Sequence, residues 1–291
     1  MSNGQIYISS MGMVTSVGWD IESAAASIRA GLIKVGDVGS LETFDGDELS
    51  LPLKGCAVSG FSDGFLQTGL WARFSLTCFR QMIRYGSLPE PEDANFWLET
   101  GMFWVLPDLQ SERFMIPTSS VDSIVKNELT SVLAKQLGLS LSPLLGHSVA
   151  GHAGIGESIQ KAVNWLDSGQ VKRVIIMAAD SCLDQLALTY YSSHGRLQTP
   201  QIHAGFLPGE AGVALLLENG QRVGARFEAS LYNTANRPEI SPDLAGDLNN
   251  SSVPYGKQLG LTIREALLPF SEAGYRYQGD VYVDLNGEHW R

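Results

Sequence analysis

In the first half of the chain, two stretches repeat apolar residues at the spacing of an amphipathic helix, and a third stretch is apolar on nearly every side. The amphipathic stretches are the one that follows Asp20 and the one over 121–137, which ends at Gly138. The third stretch occupies 70–85. An amphipathic helix buries one stripe, whereas a helix that is apolar all round is buried on all sides. We therefore predict two helices that cover a core and one helix, 70–85, between layers.

Apolar runs between these helices predict strands. They occupy 5–9, 96–106 and 172–178, and a glycine-rich turn from Gly205 leads into a further run. Strands that alternate with helices are typical of an α/β domain. Residues 34–66 are rich in Gly, Asp and Ser and show no sustained period, so we predict a long surface excursion there.

The pattern begins again in the last quarter of the chain. It predicts a strand over 225–232, a helix over 255–273 and a strand over 280–285. We accordingly divide the chain into an N-terminal half, 1–220, and a partial C-terminal half, 221–291. A domain that stops a few residues after an internal strand is unusual, so we expect either a fragment or a shortened second half.

The glycine-rich residues 146–154, which we call the elbow, run directly into an amphipathic helix that continues towards 169. Unpaired amides and the positive end of the helix dipole gather at such a helix start, so a side chain delivered there meets a place that stabilises negative charge. His147 and Ser148 are the candidates for that side chain. A turn between a strand and a helix is also where α/β folds usually place their chemistry.

Composition and charge exclude several classes of function. The net charge of −11 argues against binding nucleic acid, which needs a basic surface. No apolar run approaches the roughly 20 residues that cross a bilayer, and the start of the chain lacks the pattern of a signal peptide, so we expect a cytoplasmic protein with no membrane partner. The three cysteines are odd in number and lack metal-ligand spacing, so we expect neither a disulfide framework nor a zinc site.

Two further glycine motifs flank the elbow. The first is Gly-Met-Val-Thr-Ser-Val-Gly over 12–18, and the second is Gly-Phe-Leu-Pro-Gly-Glu over 205–210. In this order and separation, the three motifs resemble those of the β-ketoacyl synthases, the condensing enzymes of the thiolase-like superfamily. The likeness covers 5–220 well and 221–291 weakly. It implies an α/β fold, the thiolase-like layered αβαβα sandwich, with a nearly complete N-terminal half and a partial C-terminal half.

The resemblance also implies the chemistry of the elbow. In this family a cysteine there takes an acyl group from a carrier thioester, because the helix start favours the thiolate. Aligning the helix starts places Ser148 at the cysteine position and predicts that it stands at the start of the helix in a tight, strained turn. A serine hydroxyl is a far weaker acid than a thiol, so Ser148 needs an adjacent base to accept an acyl group. The structural alternative is that Ser148 only caps the helix.

Two histidines are candidate partners of Ser148. His152 follows the serine by one helical turn and can approach the same face, and its alternative role is structural. His147 precedes the serine. Shifting the alignment by one residue puts it at the nucleophile position, and a Gly-His pair also precedes a helix in the second half of family members, where the histidine is catalytic. We keep both histidines as candidate catalytic residues.

A second departure from the family lies near the end of the chain. Family members carry a histidine in a strand-end motif, where it helps to decarboxylate the extender unit and to stabilise the enolate. Here residues 283–288 read Val-Asp-Leu-Asn-Gly-Glu, with Asn286 in the place of the histidine and His289 three residues later. A side-chain amide donates a hydrogen bond to an oxyanion but shuttles no proton. The resemblance therefore implies Asn286 as an oxyanion donor.

Two functions follow from the resemblance. In the first, the chain is an acyltransferase of the condensing-enzyme kind with a degenerate site, acting on carrier-bound acyl thioesters by acyl transfer or Claisen condensation. In the second, it is a catalytically inactive ketosynthase homologue that serves as a partner subunit or an acyl-binding module. Both imply no cofactor, because the thioester is already activated, and an acyl carrier protein or acyl thioester as partner. Both also imply a homodimer, or a heterodimer with another ketosynthase-like chain.

Overall fold

The computed structural model describes residues 6–44, 50–109, 113–114, 116–220, 229–231, 255–274 and 276. The strands in this part of the chain are β1 Ile6–Thr15, β2 Gly36–Phe44, β3 Ser50–Gly55, β4 Thr100–Val105, β5 Leu145–Ser148, β6 Arg173–Ser181, β7 Glu210–Asn219 and β8 Ala229–Leu231. The helices are α1 Ile21–Arg29, α2 Gln67–Tyr85, α3 Ala94–Trp97, α4 Thr118–Ser123, α5 Ser131–Leu137, α6 Gly154–Asp167, α7 Gln185–Ser193 and α8 Tyr255–Glu272. A π-helix, Ile124–Thr130, joins α4 to α5, and a 3-10 turn, Gly151–Ala153, precedes α6.

One mixed sheet forms the centre of the fold, with the strand order β5-β4-β6-β7-β1-β8. β4 pairs in parallel with both β5 and β6, whereas β7 lies antiparallel between β6 and β1. The carboxyl ends of β4, β5 and β6 therefore meet at one edge of the sheet, together with the start of β7. Open α/β sheets bind their ligands at this edge.

Helices cover both faces of the sheet, as the side chains of β4 show. Met102 and Trp104 belong to the apolar cluster that contains α2 and the helical stretch 118–137. Phe103 and Val105 point to the opposite face and belong to the cluster that contains α6. Every residue of β4 is buried, because successive side chains of a strand face opposite sides and both sides are covered. This layering confirms the predicted α/β class.

The helix predicted between layers is α2, and it approaches the sheet closely at β1. Its Trp71, Phe74 and Phe79 are almost entirely buried. A Cβ atom on Gly12 of β1 would stand 2.0 Å from the carbonyl oxygen of Cys78 in α2. Only glycine permits this contact between two backbones.

The first glycine motif is therefore a packing motif more than a turn. The prediction ended the first strand at residue 9, but β1 continues to Thr15. The turn is confined to the last residues of the motif, where Thr15 and Gly18 exchange backbone hydrogen bonds. The strand extends through Gly12 because α2 covers it there.

The prediction of a surface excursion over 34–66 is wrong. This segment contains β2 and β3, which pair antiparallel. Val38 and Leu53 of this hairpin are buried in a third apolar cluster, against Leu188 and Leu197. Exposed residues alternate with covered ones along β3, so the hairpin is buried on one face only and has few apolar positions to reveal it.

The part of the second half that the structure describes agrees with the sequence. α8 spans nearly the whole helix predicted over 255–273, and β8 lies inside the strand predicted over 225–232. β8 pairs with β1 and so extends the central sheet. The strand predicted over 280–285 lies outside the described residues, and the division at 220 stays a prediction. No helix in the described ranges has both the length and the hydropathy that a bilayer-spanning helix needs.

The contact between Gly12 and α2 yields a stability prediction. Gly12→Ala should lower the free energy of unfolding by about 3 kcal/mol, because the new methyl group meets a backbone carbonyl that has no rotamer to move into. Gly36→Ala in β2 is the matched control, since a Cβ there meets nothing within 4 Å, and it should change stability by less than about 0.5 kcal/mol. Urea titration measures both, and equal losses would contradict the prediction.

Candidate functional site

The elbow lies at the carboxyl edge of the sheet, where β5 ends. Ser148 is the last residue of β5, and α6 begins six residues later at Gly154. The prediction that Ser148 stands at the start of the helix in a strained turn is wrong. The positive φ angle of the elbow, +53°, falls on Gly151 in the 3-10 turn. Ser148 itself keeps an extended strand conformation, because its pairing with Val105 fixes it in the sheet.

The register of β5 places His147 and Ser148 on opposite faces of the sheet. Gly146 lies against Phe103 and Trp165, and Trp165 belongs to α6. Ser148 lies two residues further along the strand and shares this face, whereas His147 faces the helical stretch 118–137. The two side chains are therefore separated by the sheet although they are neighbours in sequence.

Ser148 is buried and makes two hydrogen bonds. Its hydroxyl donates to Oε2 of Glu157 across 2.5 Å, and the backbone N–H of Ala150 donates to the serine oxygen across 3.2 Å. Only 3% of the residue is exposed. Gly154 closes the site from above, since a Cβ there would stand 3.2 Å from the serine oxygen and 2.8 Å from a methyl carbon of Val105. Ser148 thus joins the end of β5 to the first turn of α6.

The alternative role of Ser148 as the cap of this helix fits the structure only in part. Residue Ala153 occupies the cap position of α6, and no side chain caps the helix there. The Ala150 amide, which donates a hydrogen bond to the Ser148 oxygen, belongs to the turn before the helix. Ser148 therefore caps no amide of α6, and it hydrogen-bonds to the helix only through the side chain of Glu157.

His147 has its own partner on the other face. Its Nδ1 lies 3.4 Å from Oδ1 of Asp122 in α4. The intervening sheet keeps this ring from the hydroxyl of Ser148, so His147 is not placed as the base for Ser148. The backbone of His152 lies in the 3-10 turn, but its side chain lies outside the described residues, as do Asn286 and His289. Their roles stay predictions.

None of the three cysteines belongs to the elbow or to α6. Cys78 is enclosed in α2, and burial raises the pKa of its thiol to about 12. Cys182 follows β6, and burial is the main reason that its pKa also rises to about 12. Cys56 follows β3, and burial raises its pKa as well. A thiol reacts as its thiolate, so none of these residues replaces the missing elbow cysteine.

Ionic side chains tie the loops of the carboxyl edge together. Arg113 is 6% exposed and donates to both carboxylate oxygens of Asp180 across 3.0 Å. Glu210, which opens β7, accepts from the Val58 amide across 2.8 Å and from the Ser181 hydroxyl across 2.9 Å. The carboxylate of the Pro-Gly-Glu motif is thus held by the loop before α2 and by the end of β6. Together they hold three loops against the end of β6.

Glu157 is the site residue that sequence reasoning missed. The helical period places it on the polar side of α6, where an acidic residue needs no special explanation. Its separation from Ser148 by nine residues is not a spacing that one helix or one strand brings together. The contact arises because the turn between β5 and α6 folds back over the strand end.

The contact between Ser148 and Glu157 should couple the two residues energetically. In a double-mutant cycle of Ser148→Ala and Glu157→Ala, we expect a coupling free energy of about 1.5 kcal/mol by urea unfolding, since a hydroxyl bound to a carboxylate is a strong hydrogen bond. Ser168→Ala with Glu157→Ala is the control pair, because Ser168 lies at the far end of α6 and bonds the Asn164 carbonyl. That pair should be additive. A coupling below about 0.5 kcal/mol for the first pair would refute the contact.

Comparison with known proteins gives a result at the level of structure. No protein-family model matches the chain, and no curated protein matches its sequence. A ketosynthase from module 6 of the bacillaene synthase from Bacillus subtilis 168 superposes with a TM-score of 0.61 at 12% identity, over 92% of this chain and 49% of that one. This chain therefore spans about half the length of that ketosynthase.

Two further structures cover similar shares of the chain. The ishigamide ketosynthase/chain length factor has a TM-score of 0.58 at 15% identity, over 94% of this chain and 74% of that one. A type II polyketide synthase acyl carrier protein in complex with its ketosynthase has a TM-score of 0.62 at 16% identity, over 94% of this chain and 70% of that one. At sequence identities of 12% to 16%, these comparisons show that the chains share a fold. The chain thus has the thiolase-like α/β fold of the ketosynthases, as its glycine motifs predict.

Proposed function

We propose that this chain acts on acyl thioesters held by an acyl carrier protein, and that it accepts an acyl group on Ser148 without condensing it. One observation carries the proposal. The hydroxyl of Ser148 lies at the carboxyl end of β5, where the elbow leads into α6, and it donates to a carboxylate. In a chain with the ketosynthase fold, this is the part of the sheet where acyl chemistry is expected.

Two of the similar structures support a carrier-bound substrate. One holds an acyl carrier protein in complex with its ketosynthase, which is bound to the hexaketide, and the other is a ketosynthase/chain length factor. Each aligns with 94% of this chain. A fold shared with both favours a thioester substrate and a second ketosynthase-like chain as partner.

The residue types favour acyl transfer over condensation. Condensation needs an acylated nucleophile and a group that handles the charge formed when the extender unit loses carbon dioxide. The elbow offers a hydroxyl in place of a thiol, and Asn286, our proposed oxyanion donor, moves no proton. Transfer of an acyl group to Ser148 needs only a proton acceptor and hydrogen-bond donors for the oxyanion.

A second candidate function is a non-catalytic partner or acyl-binding module. The low exposure of Ser148 favours it, because a hydroxyl that is 3% exposed and bonded on both sides reaches a substrate only after the turn over it moves. This alternative keeps the same carrier and the same pairing with another chain. It differs in forming no covalent adduct.

Intact-mass measurement should separate the two functions. Incubation with an acyl carrier protein thioester should add one acyl group to the wild-type protein and none to Ser148→Ala, while the 3-ketoacyl product of condensation should be absent. Ser192→Ala is the matched control, since Ser192 is an exposed residue of α7 and belongs to neither the elbow nor α6, and it should keep the adduct. If neither the wild type nor Ser148→Cys forms an adduct, the function that remains is the binding module.

The free edge of β5 supports the proposed pairing with a second chain. β5 is the last strand of the sheet on its side, and among the described residues no strand pairs with its outer edge. The carbonyls of Leu144 and Ser148 accept from Met102 and Leu106, so these alternate residues face β4. The backbone groups of His147 consequently point outward, where a second strand can pair with them.

A proline at His147 should break the dimer. His147→Pro removes an outward N–H and leaves the bonds to β4 in place, and a proline is tolerated on the open side of an edge strand. Light scattering at micromolar concentration should then show a monomer, whereas wild type and His147→Ala remain dimers. A monomeric wild type, or a dimeric His147→Pro, would exclude β5 as the interface.

A further inference from the structure

The carboxylate of Glu157 is the described group best placed to take a proton from Ser148. We propose that Glu157 is the general base of the elbow, so that a Ser148–Glu157 pair stands where condensing enzymes carry a thiolate. This inference rests on the proposed acyl transfer to Ser148. It assigns a second catalytic residue to that site and predicts its behaviour separately.

The first argument is geometric. The hydroxyl of Ser148 donates to Oε2 of Glu157 at 2.5 Å, which lies within the range for proton transfer between a nucleophile and its base. The other hydrogen bond at this oxygen comes from the Ala150 amide, which is a donor. The serine proton therefore already points at the carboxylate, and the remaining contact cannot accept it.

The second argument concerns the position of Glu157 in α6. It is the acidic residue of the first turn, and the positive end of the helix dipole favours an acidic side chain there. The side chain is half-buried, so it reaches solvent on one side and Ser148 on the other. A base in this position can release the proton that it receives.

The third argument is the enclosure of the hydroxyl. Val105 and the backbone of Gly154 cover it, and a Cβ at 154 would crowd both the serine oxygen and Val105. Glycine at 154 thus lets the start of α6 pack closely over the serine oxygen. Exclusion of water also strengthens the hydrogen bond to the carboxylate and protects an ester from hydrolysis.

The proposed step balances without a further reactant. The serine oxygen forms a bond to the thioester carbonyl carbon, and its proton passes to Oε2 of Glu157. The carbon–sulfur bond then breaks, and Glu157 returns the proton to the departing sulfur. The products are an acyl ester on Ser148 and the free thiol of the carrier. No electron transfer and no metal ion enter the balance.

A structural role makes different predictions from a catalytic one. If Glu157 only tied α6 to β5, its replacement would lower stability and leave the rate of acylation in the remaining folded protein nearly unchanged. If it is the base, replacement slows acylation at constant fold. Restoration by an added small carboxylate is a further signature that a structural tie does not produce.

The test measures the rate of single-turnover acylation of the full chain by a hexanoyl N-acetylcysteamine thioester, followed by intact mass. Glu157→Gln should slow acylation by about 100-fold or more, which is the usual loss for a general base. The acylation rate of Glu157→Asp should lie between those of the wild type and Glu157→Gln, since aspartate keeps the carboxylate but has a shorter side chain. Asp167→Asn is the matched control, because it removes a carboxylate from the exposed end of α6, and it should acylate at the wild-type rate.

Two further measurements protect the test against unfolding. Formate should accelerate the acylation of Glu157→Ala and leave that of wild type unchanged, and thermal melting confirms that each variant is folded at the assay temperature. If Glu157→Gln fails to fold, the acylation rate of Glu157→Asp and the response of Glu157→Ala to formate decide whether Glu157 is the base.

The possible failures are distinct. An adduct that is lost in Ser148→Ala but forms at the wild-type rate in Glu157→Gln, with no effect of formate, overturns the role of Glu157 and leaves the acyl transfer standing. A wild-type protein that never forms the adduct overturns the acyl transfer itself, and with it the base.

Discussion

The parallel pairing of β5 with β4 determines what the elbow can do. The four residues of β5 take their register from Met102 to Val105, and this register alone decides which side chains face α6. A shift by one residue would exchange the faces of His147 and Ser148. The histidine would then lie beside Glu157, and the serine would lie in the layer of α4. The pairing of β5 with β4 thus determines which of the two side chains enters the site.

Buried charged groups that make no contact with Ser148 link the loops at the carboxyl edge of the sheet. Glu210 accepts from the loop between β3 and α2 and from the end of β6, while Arg113 donates to Asp180 from both of its terminal nitrogens. Burying these groups is tolerable because each finds partners of opposite polarity. Their effect is to tie the loops beside the elbow to the end of β6.

The sequence predicted the elements that are long and periodic and missed those that depend on contacts between distant segments. α2 and α8 follow from their patterns, because a long helix repeats its signal over several turns. The β2 and β3 hairpin was missed because its apolar residues are few. At the site, the glycine motifs located Ser148. Neither its position at the strand end nor its contact with Glu157 could be predicted, since both depend on how the turn folds back over β5.

The π-helix between α4 and α5 explains a feature of the hydrophobic pattern. Val121, Val125, Leu129 and Leu133 recur at every fourth residue, and all four are buried. In a helix of 3.6 residues per turn, a repeat of four drifts by about 40° at each step, so the stripe would wander off the core within three repeats. A π-helix takes more residues for each turn, and its presence at Ile124–Thr130 absorbs this drift. The winding of the backbone in this stretch thus keeps the four side chains on the face that packs against the core.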